Sequence, residues 1–193
     1  KHKAVICVHF SEMKDSFTGN LIALRHSPMA VELMDNNIIE AAYRNPTQKQ
    51  NTFFIEDDPK AILIIEFAEE SEEKLQAKLQ ETISDFKENS SAYAFPIIYN
   101  EKISGVWELR KAGLGLLTNV AGDYKPVSVI EDTAVAPKRL PSYLSEFEDV
   151  LSTYNLKCVY HAHIATGELH LRPILNLKKD EDVERFYNLS KDV

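Results

Sequence analysis

Short continuous apolar runs alternate along this chain with stretches whose apolar residues recur every third or fourth position, which predicts strands and amphipathic helices in turn. Residues 4–10 read as a buried strand. Residues 11–25 follow as a helix, with Ser11 as N-cap and Glu12 in the first turn. Residues 30–34 form a second strand, and the polar stretch 45–51, interrupted by Pro46, a loop. Residues 61–67, Ala-Ile-Leu-Ile-Ile-Glu-Phe, give the strongest strand signal. Ser71 then caps a helix with Glu72 and Glu73 in its first turn, favourable for the helix dipole, and an apolar stripe of Leu75, Leu79, Ile83 and Phe86. Residues 92–99 close the set as a fourth strand, so residues 1–100 have the order of a ferredoxin-like βαββαβ motif.

Past Ser104 a short helix carries Trp107, Leu109 and Arg110 and is expected to stop at Gly113, where a residue without Cβ can take the left-handed cap conformation. Then the pattern restarts. Residues 127–132 read as a strand, 141–154 as a helix with Leu144, Phe147, Leu151 and Tyr154 on one face, 157–164 and 168–175 as strands, and a last helix begins near Asp180. Residues 101–193 thus read as a second ferredoxin-like motif lacking its final strand. The expected fold is α+β: two such motifs in succession, with antiparallel sheets and helices on one face. The chain opens at Lys1 without Met and enters a strand at once, the look of a domain excised from something longer.

Composition narrows the partners. The 193 residues are 44% hydrophobic and 27% charged, an ordinary globular balance. No apolar run approaches the roughly 18 residues of a spanning helix, so the chain is not expected to be transmembrane. A formal charge of −8, from 30 acidic and 22 basic side chains, argues against nucleic acid, which needs a basic face. Cys7 and Cys158 lie inside apolar runs, which suits buried reduced thiols and a cytoplasmic setting, or one peripheral to the inner face of a membrane.

Candidate chemistry concentrates in the segment 160–172, which holds three of the six histidines. A reversal centred on Thr166-Gly167 would pair His163 with His170 and His161 with Arg172. Directly opposed residues have Cβ atoms about 4.5–5.5 Å apart, close enough for two imidazoles to share one divalent ion. Alternation puts all four residues on one face, either a polar site or a solvent-facing hairpin. Glu131 and Asp132 could add a carboxylate. Arg110 offers a forked donor and Lys125 a compact cation, together suited to a small organic acid.

The stretches Trp107–Gly115, Gly122–Pro126 and Lys125–Val135, with His163, Gly167, His170 and Arg172-Pro173, resemble the C-terminal domain of FAD-linked oxidases, which includes D-lactate dehydrogenase, the glycolate oxidase flavin subunit and D-2-hydroxyglutarate dehydrogenase. In the first part only Ala30-Val31-Glu32-Leu33-Met34-Asp35 is distinctive; the rest is most similar to large bacterial members with a downstream iron-sulfur segment. The resemblance implies a cap built on ferredoxin-like motifs that covers a flavin held by a separate FAD domain. It implies that His163 and His170 bind a divalent metal such as zinc or manganese that engages the substrate hydroxyl, and that Arg110 and Lys125 grip its carboxylate. The family's Gly-Asp-Gly-Asn reads Ala165-Thr166-Gly167-Glu168 here, a departure that bears on metal dependence. Its Glu-His landmark, with a third metal ligand and catalytic base, and its iron-sulfur cysteines would fall beyond Val193.

The expected activity is therefore oxidation of a small 2-hydroxy acid by hydride transfer to FAD, electrons passing to an acceptor through iron-sulfur centres. With six glycines and no Gly-rich phosphate cradle, the fragment alone is expected to be inactive. The alternatives are a small-acid sensor without turnover and an interaction domain with incidental histidines.

Overall fold

The computed structural model describes residues 1–119 and 121–193. Its strands are β1 (His2–Phe10), β2 (Ala30–Asp35), β3 (Ala61–Glu69), β4 (Ile97–Tyr99), β5 (Lys125–Pro126), β6 (Ile130–Ala134), β7 (Cys158–His163) and β8 (Glu168–Leu175). Its helices are α1 (Met13–Arg25), α2 (Asn36–Arg44), α3 (Glu72–Asn89), α4 (Lys102–Thr118), α5 (Leu140–Thr153) and α6 (Asp180–Asp192). All the strands join one sheet in the order β4-β1-β3-β2-β7-β8-β5, with β6 also paired to β8. Every pairing is antiparallel.

The order β4-β1-β3-β2 is the ferredoxin-like arrangement, and β7-β8-β6 repeats its β2-β3-β1 portion. The two motifs meet edge to edge, β2 against β7, with Leu33 opposite Ala162 and Met34 opposite His161. β1 and β3 lie inside the sheet and are buried on both faces, which is why their sequences are continuously apolar rather than alternating. One core layer holds Val31, Leu33, Phe10, Phe17, Phe86, Leu144, Phe147 and Leu189 and runs unbroken across both motifs. The motif helices α1, α3, α5 and α6 supply it, so they share one face as expected. A second layer on the opposite face packs Cys7, Met34 and Ile64 against Ile38 of α2 and Val106 and Leu109 of α4. Cys7 and Cys158 are buried free thiols, each with its pKa raised by burial. Among the described residues no helix is long and apolar enough to cross a membrane.

Several boundaries differ from the sequence expectation for local reasons. α4 does not stop at Gly113 but runs to Thr118; Gly113 instead faces Ile38, where an added Cβ would sit 3.3 Å from Cδ1, and lets α4 lie close on α2. β4 is cut to three residues because Pro96 has no N–H for the ladder, and residues 92–96 follow β1 only through isolated bonds such as His9 N–H to Ala94 O at 3.0 Å. β6 begins at Ile130 rather than Val127. α2 was not anticipated: it starts directly after β2, with Asp35 ending the strand and capping the helix.

Asp35 also joins the motifs. Its side chain accepts from Ile38 N–H at 3.2 Å, from Asn37 at 2.8 Å and from Tyr160 N–H at 2.9 Å, extending the β2–β7 ladder past the point where the backbone turns away. Burial pushes its pKa up to about 6, against the opposing effect of those hydrogen bonds. The unfolded value is about 3.9, so the folded chain holds the extra proton between roughly pH 4 and 6. This residue therefore favours the fold at the acid end of that window, and the contribution is lost as pH rises through about 6. Asparagine caps helices as well as aspartate but does not titrate. Urea unfolding should show wild type losing stability relative to Asp35→Asn between about pH 4.5 and 7.5; a difference independent of pH would remove Asp35 as the titrating group.

The β7–β8 hairpin turns through Ile164-Ala165-Thr166-Gly167, and Gly167 has φ 85°. A Cβ there would stand 1.8 Å from the Val135 carbonyl oxygen, whose own N–H donates to Gly167 O at 3.1 Å. Gly167→Ala should cost more than about 2 kcal/mol in unfolding free energy, since left-handed backbone alone costs roughly 1–3 kcal/mol and the clash adds to it. Denaturation within about 0.5 kcal/mol of wild type would contradict this account.

Candidate active site

The second face of the sheet is only partly covered by α2 and α4, and on the remainder antiparallel register sets polar side chains in rows. In the first row, extending the β2–β7 register by one pair places Glu32 opposite His163, which is itself opposite Glu168. In the second row Met34 is opposite His161, and His161 opposite His170. β6 continues this row with a bulge between Ile130 and Thr133, so Glu131 and Asp132 both confront His170; Asp132 takes φ 56° there. Val159 and Arg172 form the third row. The intervening residues Tyr160, Ala162, Leu169 and Leu171 point the other way, into the first core layer.

This register corrects the sequence-based pairing. His163 is not directly opposite His170. The reversal spans 164–167 and is centred on Ala165-Thr166, one residue earlier than expected, which moves the pairing by two and brings His161 across from His170. A shift of two preserves the face, so the imidazoles still gather. The His161 and His170 rings are 4.6 Å apart between centroids, and His163 meets His170 edge-on at 5.2 Å.

Arg110 reaches this face from α4. Its side chain is 12% exposed, and its Nη2 lies 2.8 Å from Glu32 Oε2. Nη2 thus meets Glu32, while the buried Nε has no acceptor. Burial pushes the Arg110 pKa down, and Glu32 opposes the shift. Glu32 also receives His163 Nδ1, 2.8 and 2.9 Å from its two oxygens. Across the patch Arg172 is paired with Glu131, donates to Ser128 at 2.5 Å, and donates from Nε to His161 Nε2 at 3.2 Å. An acceptor Nε2 fixes His161 as the Nδ1–H tautomer, and that buried Nδ1 has no partner. Burial first, then the surrounding Arg110, His170, Arg172 and His163, lowers its pKa to about 3, so His161 is neutral at physiological pH. Asp132 Oδ1 stands 2.9 Å from His170 Nδ1.

Two donor sets here have the composition of a metal centre: His163, Glu168 and His170, and Glu131, Asp132 and His170, each with donor atoms within 4.8 Å of one another. The first fits a divalent ion better on the chemistry of its donors. Two imidazoles and one carboxylate suit zinc or manganese and leave a position open for substrate. Glu32 holds the His163 Nδ1 proton, so Nε2 is left as the ligand atom.

The structure thus brings together His163, His170 and, through Glu32, Arg110. It does not bring Lys125 into the cluster. Lys125 is opposite Leu175 on β8, five residues from His170, which at about 3.3 Å per residue is roughly 16 Å along the strand. The second cation on this face is Arg172. Sequence reasoning missed Glu32 and Glu168 as members of the site. A lone carboxylate in the apolar strand 30–34 was the available signal for the first, and the replacement of the motif's Asn by Glu168 for the second.

The family described as FAD linked oxidases, C-terminal domain, matches residues 1–193. The chain is 26% identical over 185 residues to a D-2-hydroxyglutarate dehydrogenase of Pseudomonas putida, a match covering 92% of this chain and 18% of that protein. It is 31% identical over 191 residues to a D-2-hydroxyglutarate dehydrogenase of Haemophilus influenzae, covering 89% of this chain and 18% of the relative. The chain therefore spans less than a fifth of the length of these relatives. Among solved structures, a 4-ethylphenol oxidase of Gulosibacter chungangensis in complex with isoeugenol shares the fold, with TM-score 0.62 at 9% identity over 98% of this chain and 42% of the oxidase. With the family matching from first residue to last, the chain belongs to the C-terminal domain family of the FAD-linked oxidases.

Proposed function

We propose that this chain is the substrate-binding cap of an FAD-dependent dehydrogenase that oxidises a small 2-hydroxy acid of the 2-hydroxyglutarate, lactate or glycolate type by hydride transfer to flavin. Residues 1–100 form the motif that supplies Glu32, and residues 101–193 the motif that supplies Arg110 and the histidines. The observation that supports this reading best is the pair of unsatisfied donors, Arg110 Nε and His161 Nδ1, buried on one face beside two further imidazoles. Leaving a buried donor unpaired costs about 1–3 kcal/mol, which a bound carboxylate or hydroxyl oxygen would offset. The named relatives favour this over a sensor or an interaction module.

Arg110 would clamp the carboxylate, its charge already balanced by Glu32 and its Nε still open. Lys125 is assigned a share of that task on family resemblance; its distance along β8 argues for the smaller share. His163 and His170, with Glu168, would hold a divalent ion such as zinc or manganese, which as a Lewis acid eases loss of the hydroxyl proton. The flavin, bound mainly by the protein's own FAD domain, accepts the hydride, while these residues orient the α-carbon toward it. Electrons would leave for an acceptor, through iron-sulfur centres if the rest of the polypeptide carries them, and the setting would be cytoplasmic or peripheral at an inner membrane face.

In the full-length enzyme, Arg110→Ala should raise KM and depress kcat together, lowering kcat/KM by about 10- to 150-fold, the loss of one charge-assisted hydrogen bond at roughly 1.5–3 kcal/mol. Lys125→Ala should cost less. Steady-state kinetics indistinguishable from wild type for Arg110→Ala would remove the clamp. A full-length protein that is colourless yet binds 2-hydroxy acids would favour the sensor.

Chelation supplies an independent check. Dialysis of the full-length enzyme against a strong chelator should abolish turnover, and zinc or manganese should restore it in wild type but not in His170→Ala. Full activity in the metal-free enzyme would leave the histidines acting without an ion.

A further inference from the structure

Glu32 stands in an otherwise apolar strand, with Val31 and Leu33 in one core and Met34 in the other. Its side chain is 14% exposed, a costly setting for a carboxylate unless it is paired. Two partners meet it from different elements. From β7, His163 Nδ1 lies within hydrogen-bond reach of both oxygens; from α4, Arg110 Nη2 lies 2.8 Å from Oε2. An ion pair serving stability alone would satisfy the guanidinium, yet the buried Arg110 Nε remains without an acceptor. One carboxylate thus serves both the imidazole and Arg110 Nη2 and leaves Nε open.

We infer that Glu32 is a positioning residue: it fixes His163 as the Nδ1–H tautomer with Nε2 turned to the ion, and holds Arg110 at Nη2 while leaving Nε for the acid. The inference rests on the reading of His163 as a metal ligand. A carboxylate on the far nitrogen sets the orientation of a ligating imidazole and raises its basicity, and losing such a partner typically weakens metal affinity about 10- to 100-fold.

The test is zinc affinity of the full-length protein, measured by competition with a chromophoric chelator, beside KM and kcat for the hydroxy acid. Glu32→Gln should bind zinc about 10- to 100-fold more weakly and show a raised KM. Because that change strands Arg110 as an unpaired buried cation, Glu32→Gln is also placed on an Arg110→Met background, where no charge is left uncompensated. Zinc affinity should stay low in the double variant and near wild type in Arg110→Met alone. Wild-type zinc affinity in both Glu32→Gln proteins, with affinity lost in His163→Ala, would overturn the role of Glu32 while sparing the metal reading. Unchanged affinity in His163→Ala as well would overturn both.

Discussion

Antiparallel register is the constraint on which this molecule's chemistry depends. Side chains on one face of a sheet can meet only if their strands are aligned so that like-facing residues fall in the same row, and a slip of one residue would send every one of them into the opposite core. Here β2 comes from a part of the chain distant from the β7–β8 hairpin, yet their alignment lays Glu32, His163 and Glu168 in one row and Met34, His161 and His170 in the next. Nothing local in the histidine hairpin could supply Glu32. It arrives because the edges of two ferredoxin-like motifs pair, with Asp35 completing the seam through its side chain where the backbone no longer can.

The same rows explain how a charged patch persists on a mostly covered sheet face. Arg110 is balanced by Glu32 and Arg172 by Glu131, so each arginine on this face has an opposite charge close by. Balance of charge is not satisfaction of hydrogen bonds, and the two have been separated on this face. The Arg172 guanidinium donates to Ser128, Glu131 and His161, as a structural arginine does. The Arg110 guanidinium, slightly more exposed, leaves its buried Nε without an acceptor. Of two arginines on one surface, geometry alone marks the one with capacity left for a ligand.

Much of the fold was legible because burial writes itself into composition. β1 and β3 lie between two covered faces and are apolar throughout, and α3 and α5 show the stripes they bury. α2 was hidden because Asp35 serves strand and helix at once, with no loop to punctuate them. The end of α4 was misread because Gly113, a stop signal by itself, is used for close approach to Ile38. In the site, the grouping of His163 with His170 was readable from alternation, which survives any even shift. Their true alignment was not, since the centre of the reversal, one residue earlier than Thr166-Gly167, lies with Gly167 and its fit against Val135, a residue from another strand's end.

That difference in alignment carries chemical weight. Had His163 stood directly opposite His170, His161 would have faced Arg172 and Glu168 would have had no histidine across from it. The earlier centre of the reversal instead moves Glu168 opposite His163, beside the hairpin turn, and inserts neutral His161 between Met34 and His170. A two-histidine pair thereby gains a carboxylate within ligand distance of both rings, and a buried imidazole that burial and neighbouring cations keep uncharged. The substitution of Glu168 for the motif's Asn, which in the bare sequence counts against a metal, in the folded chain sets a carboxylate oxygen within 4.8 Å of the donor atoms of His163 and His170.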